Sequence, residues 1–308
     1  KWYKMMPVET IRGCPYKCTF CNSPDQITMY KENNGSNFFR KKSISLVYNE
    51  LKHFKEDLGV EYNYFWADTF LAWSPDEFEE FCEMYKDIGL PFWMQTRPET
   101  VSDYKIKKLA DVGLHRISFG IEHGNEGFRK KLLERHWKNK DIIEALKIPH
   151  RHGVQFSLNN ITGFPTETRE LAMDTVELNR NIDSDNQNLY SYVPFHGTPL
   201  RKLCEDTGLV APETITKALT DKPMLIMPQY PQHEIEGLIK CFTLYVKFPK
   251  NRWKEIKKAE ADTPEGSKIY EELKQEYIEK YLPKTNNDLE ESSAAADLEY
   301  GVEQTEVC

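Results

Sequence analysis

The chain has 308 residues, with 49 acidic against 41 basic side chains and a net charge of −8. Aromatic residues make up 12% of it, which excludes wholesale disorder, because disordered chains are poor in aromatics. An acidic chain has no sequence-independent pull on nucleic-acid phosphates, so nucleic acid is not indicated as a partner. No run of about 18 apolar residues occurs, so no membrane-spanning helix is expected. Cysteines stand at positions 14, 18, 21, 82, 204, 241 and 308. Their odd number and the crowding of three into eight residues do not suit a secreted disulfide framework. Clustered thiols in such a chain point to metal binding in the cytoplasm.

In chain order, Val8–Arg12 is the first predicted strand and runs straight into the cysteine cluster. Ile44, Val47, Leu51, Phe54 and Leu58 then recur at helical spacing. Tyr62–Ala67 reads as the second strand. Ser74-Pro75-Asp76-Glu77 has the form of a helix start, with a Ser cap, Pro in the first turn and Glu three residues after the cap. Phe78, Phe81, Cys82, Tyr85 and Ile88 line one face of that helix, which makes Cys82 a core residue rather than a ligand. Phe92–Gln95 is the third strand. Ile106, Leu109 and Ala110 mark the next helix, and Gly113 is placed to end it.

Arg116–Gly120 is the fourth strand, followed by helical pieces near 125–134 and 139–151. Gln155–Ile161 is the fifth strand, a helix carrying Leu171, Val176, Leu178 and Ile182 follows, and Asn188–Val193 is the sixth. Strand then helix, about six times over, predicts an α/β fold with a parallel sheet and right-handed crossovers. Six units stop short of a closed barrel. Ligands of such sheets lie beyond the C-terminal ends of the strands. After Leu200 come Pro223, Pro228 and Pro231, an apolar stretch Leu238–Phe248 and Lys/Glu-rich helical sequence over 252–280. The predicted organisation is a core over 1–200, a mostly helical region over 201–284 and a disordered tail over 285–308, which carries seven acidic residues and no Lys or Arg.

The strongest chemical signal is Arg12-Gly13-Cys14-Pro15-Tyr16-Lys17-Cys18-Thr19-Phe20-Cys21, a C-x3-C-x2-C spacing. Thiolate is the ligand that iron–sulfur clusters require, and three on one loop leave one iron of a cluster open. A zinc site would need a fourth ligand, and no second CxxC or HxxxH follows nearby. An iron–sulfur electron carrier is the other reading.

With Phe20 just before the third cysteine, this run resembles the signature of radical S-adenosylmethionine (SAM) enzymes. The resemblance implies that Cys14, Cys18 and Cys21 hold a [4Fe-4S] cluster whose fourth iron takes SAM. It also implies a partial (β/α)6 barrel with the cluster loop after the first strand, and a reductant such as flavodoxin or ferredoxin. Reductive cleavage of SAM would then start radical chemistry on a substrate that no motif names.

The likeness extends from Val8 to about Leu200 and places SAM contacts at strand ends. Ala67 and Asp68 stand where two glycines are common in the family. Arg97 follows the third strand. Gly120-Ile121-Glu122-His123-Gly124 resembles G-I-E-S-G, with His123 for Ser, and makes Glu122 a SAM-binding candidate. Asn160-Ile161-Thr162-Gly163-Phe164-Pro165 resembles the fifth-strand segment, so Asn159, Ile161 and Gly163 join the set, with Ile161 on the adenine. Pro194-Phe195-His196-Gly197-Thr198-Pro199-Leu200 is similar to the family's P-x-x-G-T-x-L. His196, Tyr190 and Tyr192 are the candidates for facing substrate. The wording of the cysteine run and of Gly163–Thr168 is most similar to the branch that carries an N-terminal cobalamin-binding domain. The resemblance therefore implies such a domain upstream, with cobalamin taking part in methyl transfer or rearrangement.

Overall fold

The computed structural model describes residues 3–282. The tail expected to be disordered, with Cys308 in it, lies outside these residues. Among the described residues there are eight strands: β1 (Met5–Val8), β2 (Ile11–Arg12), β3 (Arg40–Lys41), β4 (Tyr62–Phe65), β5 (Phe92–Thr96), β6 (Leu114–Glu122), β7 (Gln155–Thr162) and β8 (Asn186–Ser191). Six of them form one parallel sheet in the order β1-β4-β5-β6-β7-β8. Helices Ile44–Glu56, Pro75–Ile88, Asp103–Asp111 and Arg169–Arg180 connect successive strands, with three short helices between β6 and β7. This is the expected partial (β/α)6 barrel with a helical C-terminal region.

The first strand differs from its prediction. The chain leaves the sheet after Val8, and Ile11–Arg12 pairs antiparallel with Arg40–Lys41 instead. The Thr10 carbonyl accepts from the Lys42 amide at 3.0 Å, which seals this ribbon. The cysteine loop is therefore held by a ribbon as well as by the sheet. The sixth strand starts two residues earlier than expected and ends at Ser191. The helix Ser23–Asn34, directly after the cysteines, had no apolar stripe to announce it, and its residues are mostly exposed or half-buried.

Pro75–Ile88 forms as its sequence dictates. Ser74 and Glu77 close a reciprocal capping box, and Phe78, Phe81, Cys82, Tyr85 and Ile88 are all buried. They join a core of the helices against β1, β4, β5 and β6. A second core lies at the β7–β8 end, where Phe164, Leu189 and Tyr192 meet Leu238, Phe242 and Leu273. The C-terminal helices Gln232–Lys247, Trp253–Ala259 and Pro264–Lys280 thus cover one end of the sheet. Among the described residues no helix is long and apolar enough to cross a membrane.

Candidate functional site

The carboxyl ends of the six sheet strands carry almost every residue singled out from the sequence. After β1 the loop turns at Gly13, whose φ of +81° suits glycine and whose missing side chain leaves room for the Phe38 ring. Cys14 is buried, while Cys18 and Cys21 are half-buried. All three thiols are free. The Cys21 amide bonds the Cys18 carbonyl at 3.2 Å, which holds the loop tight.

Two polar groups from later strand ends meet the sulfurs. Thr69 Oγ1, after β4, lies 3.3 Å from Cys14 Sγ. Arg97 Nη1, after β5, donates to Cys18 Sγ at 3.3 Å. Burial pushes the Cys18 thiol up against the pull of Arg135 and Arg97, and pushes the Cys21 thiol up to about 12. Thiols in such surroundings become thiolates when a metal takes the proton's place. Among the described residues no group of three His, Cys, Asp or Glu side chains is gathered as a single metal ion would need. The donor set is all sulfur, Arg97 donates to it, and the Thr69 hydroxyl beside Cys14 gives its proton to the Asp68 carbonyl at 2.8 Å. That suits a polynuclear iron–sulfur cluster, which spaces its thiolates farther apart than one zinc ion does.

Arg97 begins a buried chain of charges. Its Nη2 donates to Glu99 Oε1 at 2.7 Å, and its guanidinium carbon lies 3.6 Å from the centroid of the Tyr16 ring. Arg135 donates to Glu99 Oε2 at 3.3 Å and to Glu122 Oε1 at 2.7 Å. Burial works against the charge on Glu99, but Arg135 and Arg97 overcome it and hold its carboxyl below the usual carboxylate range. At Glu122 burial wins and pushes the carboxyl up. Gly120 makes room for this carboxylate, since a Cβ there would lie 2.3 Å from Glu122 Oε1.

The sequence-predicted residues beyond the cysteine loop fall into four places. Arg97 and Glu122 belong to the charged chain just described. Asp68 stands apart, on the exposed rim of a cavity of about 340 Å³ that it lines with Glu9, Gly13, Asn22, Gln26 and Trp66; Ala67 beside it is buried. Asn159 lies next to Gly120 across the β6–β7 ladder and accepts from Asn188 Nδ2 at 3.1 Å. Ile161 and Phe20 pack at the edge of the second core, Phe20 edge-on to Phe164, next to Gly163.

His123 does not reach a ligand site. It is fully buried, its Nδ1 accepts from the Asn125 amide at 3.1 Å, and its Nε2 lies 3.1 Å from Glu167 Oε1. Glu167 also accepts from the Phe164 amide at 2.9 Å and from Thr162 Oγ1 at 3.3 Å, so His123 ties the loop after β6 to the loop after β7. Tyr192 is buried against Phe164, whereas His196 and Tyr190 are exposed. Glu99, Arg135 and Thr69 were missed in the sequence. A carboxylate two residues after Arg97 was a visible hint of Glu99. Arg135 comes from the loop after the helix Glu126–Leu132, 13 residues past the end of β6 in the chain.

The sheet face opposite the helices is polar and partly open. Along β5, Phe92, Met94 and Thr96 are buried, and Trp93 and Gln95 between them are half-buried. Trp93 Nε1 donates to Ser118 Oγ at 3.0 Å, and Ser118 lies 3.1 Å from Ser157. Arg116 Nη2 donates to Gln155 Oε1 at 2.8 Å. The Tyr64 ring is 4.8 Å from Trp93, and Gln95 donates to its hydroxyl.

Comparison with known proteins agrees with this geometry. A sequence model of the Radical SAM superfamily matches residues 8–178. An uncharacterized methyltransferase of Pyrococcus horikoshii is 25% identical over 254 residues, covering 81% of this chain and 53% of the relative. A tRNA-2-methylthio-N(6)-dimethylallyladenosine synthase of Halalkalibacterium halodurans is 26% identical over 214 residues, covering 66% and 38%. The chain thus spans about half the length or less of these curated relatives. The radical SAM methyltransferase TsrM of Kitasatospora setae shares the fold, with a TM-score of 0.55 at 16% identity over 75% of this chain and 45% of that one. That enzyme has also been solved with cobalamin and a [4Fe-4S] cluster bound.

Proposed function

Because the chain belongs to the radical SAM superfamily, whose members use a [4Fe-4S] cluster and SAM and need an electron donor, we propose that Cys14, Cys18 and Cys21 hold that cluster here and that this chain cleaves SAM reductively. The observation that carries the assignment is the convergence of three free thiols on one loop at the open end of the sheet, with Thr69 and Arg97 at their sulfurs. When bound, the cluster supplies the electron that cleaves SAM, and SAM supplies the radical that attacks substrate. The chain's own part is positional. The ribbon β2–β3 fixes the loop, and Arg135 ties Glu99, after β5, to Glu122 at the end of β6. Ile161, Asn159 and Gly163 offer the β7 end to the cofactor.

Anaerobic reconstitution should give about four iron and four sulfide per chain. The reduced protein should release 5′-deoxyadenosine from SAM. A full cluster with no 5′-deoxyadenosine would make the chain an electron carrier instead.

We extend this reading to cobalamin-linked methyl transfer, supported by the methyltransferase among its sequence relatives and by the fold shared with TsrM. Residues 1–200 would act as the catalytic core, with 201–284 as its cover and flavodoxin or ferredoxin as the reductant in a reducing cytoplasm. The substrate would meet the polar sheet face, which offers amides, hydroxyls and the Tyr64–Trp93 rings, with Arg116 as its charged group and that one engaged by Gln155. Such a surface suits an uncharged molecule with a flat face and several hydrogen-bonding groups. Incubation with hydroxocobalamin followed by desalting should leave residues 1–308 without corrin absorbance. Corrin retained by this chain would place the cobalamin contacts inside it.

A further inference from the structure

Arg97 is placed to bind something other than SAM. Three of its features are already engaged: Nη1 by Cys18, Nη2 by Glu99 and its flat face by Tyr16. Its side chain is only 12% exposed, and its Nε–H is buried without a protein partner. A guanidinium clamped in this way cannot swing out to a carboxylate in the barrel mouth. It keeps a fixed positive charge, and one spare donor, beside whatever the cysteine loop holds.

We propose that Arg97 is a positioning residue for the cluster, clamped by Tyr16 and Glu99 so that its bond to the Cys18 sulfur favours the reduced state. The proposal rests on the assignment of Cys14, Cys18 and Cys21 as ligands. One-electron reduction adds negative charge that spreads onto the ligand sulfurs. A hydrogen bond and a positive charge at one of those sulfurs stabilise the reduced form more than the oxidised form, and so raise the potential. Tyr16 lies inside the ligand loop, between Cys14 and Cys18, so the clamp and the cluster are built from one segment. Arg135, on the other oxygen of Glu99, adds a second positive charge on the same side of Cys18. The electron itself comes from a low-potential donor, dithionite in the test below.

The test is a potentiometric titration of the reconstituted full chain, without SAM, followed by electron paramagnetic resonance. In Arg97→Gln the ratio of reduced to oxidised cluster at a fixed potential should fall about tenfold, which is about 59 mV for a one-electron couple. Arg97→Lys keeps the charge but loses the planar fork, and should fall between Arg97→Gln and the parent. Tyr16→Leu removes the ring and should shift the potential the same way, while Tyr16→Phe should match the parent. If Arg97→Gln does not assemble a cluster, Tyr16→Leu and Arg97→Lys decide. Full iron content with an unchanged potential in Arg97→Gln, or in Tyr16→Leu and Arg97→Lys where that variant is empty, overturns the proposal. Loss of SAM affinity at unchanged potential would return Arg97 to the SAM site. A parent protein that binds no cluster would overturn the ligand assignment itself, which is a different result from any of these.

Discussion

Glu122 is a non-glycine residue with φ of +69°, and it closes β6 where the ladder to β7 shifts register. A side chain in the left-handed region is uncommon and persists where its surroundings hold it. Here Arg135 holds the carboxylate, and Gly120 leaves the space for it. Glu122→Gln keeps the shape and removes the charge, which leaves Arg135 and Arg97 with the Glu99 they already share as the one carboxylate of the chain. The expected outcome is SAM binding weakened more than tenfold, roughly 1.5–3 kcal/mol, with iron content preserved. Isothermal titration on the reconstituted variant checks it, and unchanged affinity would leave Glu122 a purely structural acid.

The cysteines divide on the same principle. Cys18→Ala should lose the cluster, because two thiolates do not hold it. Cys82→Ala should retain it, because Cys82 is 4% exposed within the Phe78–Ile88 stripe. Iron analysis after identical reconstitution separates the two. The burial of Cys82 was legible from helical period, and the gathering of the three free thiols on one loop from their spacing. Arg135 was not, since nothing in Glu134-Arg135-His136 marks a buried charge before the fold brings Glu99 and Glu122 to it.

Elements are joined at this end of the sheet by glycines with different tolerances. A methyl group on Gly124 would lie 2.0 Å from the Asp174 carbonyl oxygen, which is backbone of the helix Arg169–Arg180 and cannot swing away. A methyl group on Gly197 would lie 2.1 Å from Asp25 Oδ2, the free end of a side chain. Gly124→Ala should therefore cost about 1–3 kcal/mol through overpacking. Gly197→Ala should cost less from contact, about 1 kcal/mol, most of it from its φ of +82°. Melting temperatures should rank Gly124→Ala well below Gly197→Ala, and the reverse order would refute the space argument.

Element legibility followed physical signal strength. Pro75–Ile88 carried a cap and a stripe and was readable to its ends. The ribbon β2–β3 is two residues long on each side and depends on a partner 30 residues away, so no local period reveals it. The helix Gln232–Lys247 begins before the apolar stretch Leu238–Phe248 that announced it, because Pro231 starts it and its first turn is polar.

At the scale of the whole molecule, the question is what fastens the C-terminal helices to the sheet. Beyond the second core, the fastening is a buried polar junction. Arg169, at the start of the helix after β7, pairs with both carboxylate oxygens of Glu260, one of them at 3.2 Å. The Tyr245 hydroxyl donates to the same carboxylate at 2.6 Å, and Gly237 lets the helix Gln232–Lys247 approach it closely. Glu260 is 8% exposed, and its counter-charges are Arg169 and the half-exposed Lys257. Removing one partner of such a pair leaves a buried charge without its counter-charge, at a cost of about 3–5 kcal/mol, whereas removing both restores much of the loss. Arg169→Leu and Glu260→Leu should each lower the urea midpoint strongly, and the double variant should be more stable than the sum of the two losses requires. Iron content should hold in all three under native conditions, because the junction touches neither the cysteine loop nor the Arg97–Glu122 chain. Strictly additive losses in the urea titrations would show that the junction is two independent contacts and that packing alone fastens the cover. Loss of iron in the single variants would instead show that the helical cover and the cluster end of the sheet unfold as one unit.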